Sequence, residues 1–567
     1  MEKLDKLTDA LKILYGDKAE HLAKRLSSYI DKVHIHTMGT ADKHWYRAVE
    51  LYCVYPDGVN YDSSLNPLQN LKIHLKRVQA LGFNAIHILP FLESPMVDRG
   101  FDISNFLKIR EHEGSIEDMK ALLKEAKSLG IHVFMDLVFN HVSDQHEWFQ
   151  KAISGDEHYR NYFIHTKEKP KFIRKFHEKS AVWAEYEVDG KRKITNIAFP
   201  EYAGPVPHWR EGGDGYWYYH TYYPQQLDLN WENPDVFIEM AKVVVFWARK
   251  GFNFRLDAIP FIGKGPYKEI STKNTEAHAI TAALKCIADP VNPNCAFLVE
   301  TYEEIDSVIE YFGRTDCISA NLSYNFHLCT SIWVSLMTEN INYTWGILDK
   351  LKETPDHAEW LNFLRNHDEL SLAYLSDECL KMMQDALEPH GADFREGCGI
   401  SGRTFSLLGG NKAKFLMAYF LLASLPGGMM VPYGDEIAAD NIPIEKLTQI
   451  EQKDTRNINR GTIDAKSYEL IENSETLELM AKLLSQRKVF RLYLNNWPTR
   501  RKAPDEVFAA CYTNGPDNLF IYINLSCTPM RVTFDETEVS PIIQVNEVKV
   551  KGHIVELGPY SGIWLKK

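Results

Sequence analysis

Paired cysteines are missing from this chain. Its nine cysteines stand singly between Cys53 and Cys527, odd in number and without a CxxC pair. That pattern argues against both a zinc site and a disulfide framework, so reduced thiols in the cytoplasm are expected. Positive charge is also scarce, with 64 Lys and Arg against 77 Asp and Glu and a formal charge of −13. Nucleic acid and anionic membranes require a basic surface, so neither is an expected partner, and a neutral or cationic ligand fits better. Uncharged runs long enough to span a bilayer are limited to residues 415–433, where Pro426, Gly427 and Gly428 interrupt the stretch. It reads as a buried helix, a tight turn and a buried strand. The first 26 residues carry charge throughout and lack the apolar centre of a signal peptide. Internal repeats and low-complexity segments are absent.

The rest of the 567 residues, 45% hydrophobic and 25% charged, have an ordinary globular composition and enough length for more than one domain. Residues 1–45 carry apolar positions at helical spacing, including Leu11, Leu14, Leu22 and Leu26, and predict a helical extension. From VELYCVYP (49–56) onward, short apolar runs alternate with amphipathic helical stretches: NAIHILP, IHVFMDLVFNH, FNFRLDA, CAFLVET, LNFLRNHD and GMMVPYGDE. Strand and helix alternating in this way predict parallel strands covered by helices. The 110 residues from His141 to Gly251 are too many for one crossover and predict an insertion, about 142–228, rich in aromatics. Beyond about residue 485 alternating strands such as NLFIYINLS predict a C-terminal antiparallel β domain over 486–567, leaving 46–485 for the main domain.

The run GFNFRLDAIPFI places Arg255 and Asp257 two apart, on one face of a strand, inside apolar sequence. Alone, such a pair is more often structural than catalytic, because structural ion pairs also perturb pKa values. Other runs also end in polar groups: Asp136, Asn140 and His141; Glu300; Asn366, His367 and Asp368. In a closed parallel barrel the strand C-termini converge on one face, where active sites are built. Four strands delivering carboxylates, an arginine and histidines to one mouth favour catalysis.

These segments resemble the α-amylase family, glycoside hydrolase family 13. MDLVFNH, FRLDA, VETYEE and RNHDE resemble its four conserved regions, QQLDLN the end of its inserted domain, and YGDEI the end of its eighth strand. The resemblance covers roughly residues 46–440 and is nearest to trehalose synthase, amylosucrase and oligo-α-glucosidase-like members. It implies a (β/α)8 TIM barrel with a subdomain inserted after the third strand. It also implies a retaining mechanism, with Asp257 as nucleophile, Glu300 as acid/base and Asp368 as the third carboxylate. Two carboxylates about 5–5.5 Å apart suit that chemistry. Arg255 is expected to keep Asp257 ionised, Asp136 to orient Arg255 with Asn140 in support, and His141 and His367 to contact the sugar. VDRGFD resembles members acting on short glucosides, in which an aromatic ring, here Phe101 in place of the usual tyrosine, stacks on the first sugar. Asp98 would then bridge to Arg456 of DTRNINR and seal the pocket, so that loss of Asp98 would strand Arg456.

YPDGVNYDSSLNPL stands where an Asp-rich DxNxDG loop would be, so no metal or cofactor is expected. The expected function is hydrolysis or glucosyl transfer on small α-glucosides. A sucrose-phosphorylase-like activity is the alternative, although Glu369 stands where those enzymes usually have glycine. A non-catalytic relative serving as a binding module is the alternative of another class, disfavoured because both carboxylates are kept.

Overall fold

Eight short apolar runs form the strands β1 (Glu50–Val54), β2 (Ala85–Ile88), β3 (His132–Leu137), β4 (Asn253–Leu256), β5 (Phe297–Val299), β6 (Leu322–Tyr324), β7 (Glu359–Asn362) and β8 (Gly428–Pro432). The computed structural model describes residues 2–33, 44–178, 180–264, 274–351, 354–467, 474–536 and 538–567. The strands pair in parallel and in chain order, and β8 returns to β1 to close a barrel. Every residue of β1, β2, β4, β5, β6 and β8 is buried, which explains why these runs are continuously apolar rather than alternating.

Local chemistry sets the helix limits. The helix Pro67–Leu81 starts on a capping box between Asn66 and Gln69, with proline in its first turn, and stops at Gly82 in the left-handed region. The helix Ile116–Ser128 starts on the equivalent box between Ser115 and Asp118. The uncharged stretch 415–433 resolves into the end of the buried helix Lys412–Ala423, a turn and β8. In that turn Gly427 has φ +103°, and a Cβ there would lie 2.8 Å from the Trp360 carbonyl. Beneath the barrel Arg487 is fully buried, 2.8 Å from Glu50, and donates to the carbonyls of Ala423, Leu425 and Gly427.

Four additions surround this frame. The helices Glu2–Tyr15 and Ala19–Asp31 bury Leu11, Leu22 and Leu26 and lie against the helices Thr275–Val291 and Pro234–Ala248. Between β3 and β4 the chain forms two small three-stranded sheets with their own apolar cluster around Val182, Ala184 and Tyr186. That excursion is closed by Gln226–Asp228 pairing antiparallel with His141–Ser143. A second excursion, between β7 and β8, was not anticipated from sequence: it carries the helix Asp377–Leu387 and a three-stranded sheet spanning residues 370–401. C-terminal to the barrel, a five-stranded and a three-stranded antiparallel sheet enclose Phe520, Val532, Val555 and Leu565. Trp564 and Tyr512 tie this unit to the barrel through the Ser424 hydroxyl and carbonyl, at 2.7 and 2.6 Å.

Candidate active site

Parallel pairing puts Arg255 of β4 directly opposite Asp136 of β3, so the guanidinium meets a carboxylate across the ladder. Its Nη1 donates to Asp136 Oδ1 at 2.7 Å and to Asp257 Oδ1, while Nη2 lies 2.5 Å from Glu300 Oε1. One buried cation thus holds three carboxyls from three adjacent strands. Asp136 is fixed from its other side by His87 of β2, whose Nε2 is 2.9 Å from Oδ2. Ala258, just past Asp257, has φ +47°, an unfavourable region for a residue with a Cβ. The bend aims its N–H at Glu300 Oε2, 2.9 Å away.

Across the mouth, Asp368 is held by a second set of cations. Its Oδ1 accepts from Arg456 at 3.0 Å and Arg460 at 2.8 Å, and its Oδ2 lies 3.2 Å from His367 Nε2. Arg456 also donates to Asp98 at 3.0 Å and to Asp454 through both Nε and Nη2. Its guanidinium carbon lies 4.5 Å from the centre of the Phe199 ring and 4.6 Å from that of Phe394, two rings that meet edge to face at 5.2 Å. Phe199 belongs to the first excursion and Phe394 to the second. The second oxygen of Asp98 accepts from Gln226 at 3.0 Å. The Asp98–Arg456 bridge read from VDRGFD and DTRNINR is therefore present, but as one contact in a network.

Burial sets the electrostatics. It pushes Asp257 well above the usual carboxylate range against the pull of Arg255, with Glu300 adding to the rise. It raises Glu300 as well, again opposed by Arg255, with Asp368 adding to the rise. Arg255 supplies one positive charge to three acids, so the Asp257–Glu300 pair retains a proton that an isolated carboxyl would lose. Asp368 behaves oppositely: burial favours its neutral form, but His367, Arg456 and Arg460 hold it well below the ordinary range. Burial also keeps both histidines neutral, lowering His141 to about 4 and His367 to about 3.

Asp98, Phe101, His141, Asp257, Glu300 and Asp368 line one cavity of about 1510 Å³, with Arg456 at its edge. Arg255, Asp136, Asn140 and His367 stand behind that wall. Arg255 is wholly enclosed by its carboxylates, and the His367 ring is covered by Phe101, stacked parallel at 5.2 Å. His141 faces the cavity but donates Nε2–H to the Phe101 carbonyl at 3.1 Å, and its Nδ1 lies 3.2 Å from the Asn140 amide nitrogen. Both its nitrogens therefore already have neighbours within the protein. Sequence reasoning passed over Asp454 and Arg460, which flank Arg456 within its own motif. It also passed over Lys264, whose buried ammonium reaches Asp228 at 2.5 Å and Asn140 Oδ1 at 2.7 Å. Asp228 lay within the quoted QQLDLN, but Lys264 falls two residues beyond the apolar run that drew attention. Among the described residues, no group of three or more His, Cys, Asp and Glu is placed to hold a metal.

Residues 60–386 match the model of the alpha amylase catalytic domain. The chain is 30% identical to a trehalose synthase of Thermus thermophilus over 408 residues, 71% of this chain and 39% of that protein. It is also 30% identical to a trehalose synthase/amylase of Mycolicibacterium smegmatis over 419 residues, 72% of this chain and 66% of that protein. It thus spans between about two fifths and two thirds of the length of these relatives. Among solved structures, an alpha-amylase from H. orenii superposes with a TM-score of 0.69 at 18% identity, covering 93% of this chain and 100% of that one. The isomaltulose synthase of Klebsiella sp. LX3 superposes with the same score at 19% identity and the same coverage. At such identity the superpositions speak for the fold. The matched catalytic-domain model, which covers more than half of the sequence, goes further: the chain is a member of the α-amylase family, glycoside hydrolase family 13.

Proposed function

We propose that the chain is a retaining enzyme that hydrolyses small α-glucosides or transfers their glucosyl unit, through a covalent glycosyl-enzyme. The observation that carries this reading is the placement of Asp257 and Glu300 at adjacent strand ends on one guanidinium, facing a common cavity. In the first half-reaction an Asp257 oxygen bonds to the anomeric carbon as the glycosidic C–O bond breaks, and Glu300 gives its proton to the departing oxygen. In the second, an acceptor hydroxyl loses its proton to Glu300 while its oxygen bonds the anomeric carbon and the Asp257 ester bond breaks. The sequence needs one proton on the pair at the start, and burial of both carboxyls supplies it. Asp368, held ionised by its cations, accepts hydrogen bonds from sugar hydroxyls. Arg255 positions the two carboxyls from behind.

The Asp98–Arg456 contact limits the non-reducing end to one sugar, so action is from the chain end. The relatives described as trehalose synthases support a glucosidic substrate. Described cysteines that are all free fit a reducing compartment, the cytoplasm, and among the described residues no helix is long and apolar enough to cross a membrane. The deciding experiment is product analysis with sucrose, maltose and trehalose, each with and without inorganic phosphate. Release or transfer of glucose with retained anomeric configuration is expected. An inverted product, or no turnover of any of the three, refutes the reading.

A further inference from the structure

We infer that Cys286 and Cys317 form a peroxide-reactive thiol pair that closes into a reversible disulfide on the outside of the barrel. The two lie far apart in the sequence and on different elements. Cys286 belongs to the helix Thr275–Val291, which leads into β5, and Cys317 to the short strand Cys317–Ile318, which comes after it. The helix packs on that strand, and the two thiols are hydrogen-bond partners. Both are half-buried, whereas Cys53, Cys295, Cys329 and Cys398 are buried. Neither lines the cavity at the barrel mouth.

The backbone holds both sulfurs where they meet. Cys286 stands inside a helix and packs against the main core. Cys317 pairs with Arg314 across a two-stranded hairpin. In that hairpin Gly313 has φ +71° and passes so close to the Cys317 carbonyl that a Cβ there would collide with it, so this register requires glycine. The surroundings favour a thiolate at Cys317. The hydrogen bond from Cys286 draws it below the ordinary thiol range against the effect of burial, with Lys6 and Arg314 adding to the fall and Asp316 opposing it. The same bond, together with burial, raises Cys286 and keeps its proton in place. A thiolate beside a protonated thiol is the arrangement of an attacking and a resolving cysteine.

The chemistry balances with hydrogen peroxide as oxidant. The Cys317 thiolate attacks one peroxide oxygen, the O–O bond breaks, and a sulfenic acid forms as hydroxide leaves and takes up a proton. The Cys286 sulfur then attacks the Cys317 sulfur, the S–O bond breaks, and the hydroxyl departs with the Cys286 proton as water. Two electrons have passed from the thiols to the peroxide, and a dithiol reductant returns them. The new bond closes a loop, residues 286–317, that carries β5 and Glu300. It joins sulfurs that already touch while narrowing the unfolded ensemble, so it acts as a staple made under oxidative stress.

The test treats the folded, reduced enzyme with graded hydrogen peroxide and maps its thiols by peptide mass spectrometry without reductant. A linked Cys286–Cys317 peptide is expected at doses that leave the exposed Cys527 largely reduced, and dithiothreitol should restore both thiols. In Cys286→Ser, Cys317 should run on to the sulfinic acid because nothing resolves it, and in Cys317→Ser, Cys286 should stay reduced. Oxidised wild type should melt about 3 °C or more above the reduced form and lose that gain in dithiothreitol. Absence of the linked peptide at doses that oxidise Cys527 overturns the pair, as does a link that forms only in urea. A link that leaves the melting temperature unchanged overturns the staple. Neither measurement depends on turnover of a glucoside, so the outcome stands apart from the function proposed above.

Discussion

The Asp98–Arg456 contact allows a sharp test because its two ends are unequally supported. Truncating Asp98 to alanine leaves Arg456 with Asp454, Asp368 and two aromatic faces, so the guanidinium is not stranded. Burial raises the Asp98 carboxyl to about 6 despite its arginine neighbour, so its charged form contributes little net stability at neutral pH. The expected cost of Asp98→Ala is therefore at most about 1 kcal/mol in stability. Truncating Arg456 instead leaves Asp98 with only the neutral Gln226 amide among its side-chain hydrogen-bond donors and puts Asp454 and Asp368 both on Arg460. Breaking a buried pair in this way costs about 3–5 kcal/mol. The double variant should recover about 0.5–3 kcal/mol relative to the sum of the singles, since removing Asp98 removes one of the stranded charges. Urea unfolding of the four proteins at pH 7 measures this. Equal costs for the two single variants, or additivity within error, would refute the reasoning. The expectation from sequence alone, that loss of Asp98 strands Arg456, fails because Asp454 sits two residues before the arginine and grips it independently.

Asp257→Ala and Glu300→Gln should each lower kcat by several orders of magnitude with little change in melting temperature, since each removes one half of the double displacement; normal turnover in either folded variant would sink the assignment. The raised Asp98 pKa gives a signed pH effect: the folded carboxyl binds its proton more tightly than the unfolded one, so the stabilisation of wild type relative to Asp98→Asn should grow as pH falls from about 6 to about 4. A difference that is flat or shrinks over that window contradicts it. Activity should survive exhaustive dialysis against a chelator, because the proposed chemistry runs on side chains; loss restored by calcium would overturn this.

The barrel was legible because parallel strands buried on both faces leave continuous apolar runs, and the polar residues at their ends stand out against them. FRLDA announced the site for that reason, and Asp136, Glu300 and Asp368 followed from the same signal. The second excursion gave no such contrast: its strands at 370–371, 392–394 and 399–401 are two or three residues long, too short to carry a period. The partners of His141 were hidden for another reason. Its Nε2 bonds a backbone carbonyl, that of Phe101, and main-chain acceptors have no sequence signature. Arg460 carries no signal of its own in the sequence: it follows a 3-10 turn over 455–459, and that turn is what brings it within 2.8 Å of Asp368.

The setting of Arg456 bears on how this pocket could change. Its side chain joins the loop after β2, the loop after β7, both excursions and its own turn, so five chain segments meet on one planar group. A closed end built this way cannot be opened gradually. Replacing the arginine leaves acids facing one another, and replacing one acid leaves both aromatic contacts in place. A descendant that cleaves within long glucans would have to shorten or retract several loops together, and intermediates on that route would carry unpaired buried charge. The wall would thus guard the exo action proposed above against drift by single substitutions, while the opposite side of the cavity, walled by two surface excursions, remains free to vary in length and sequence.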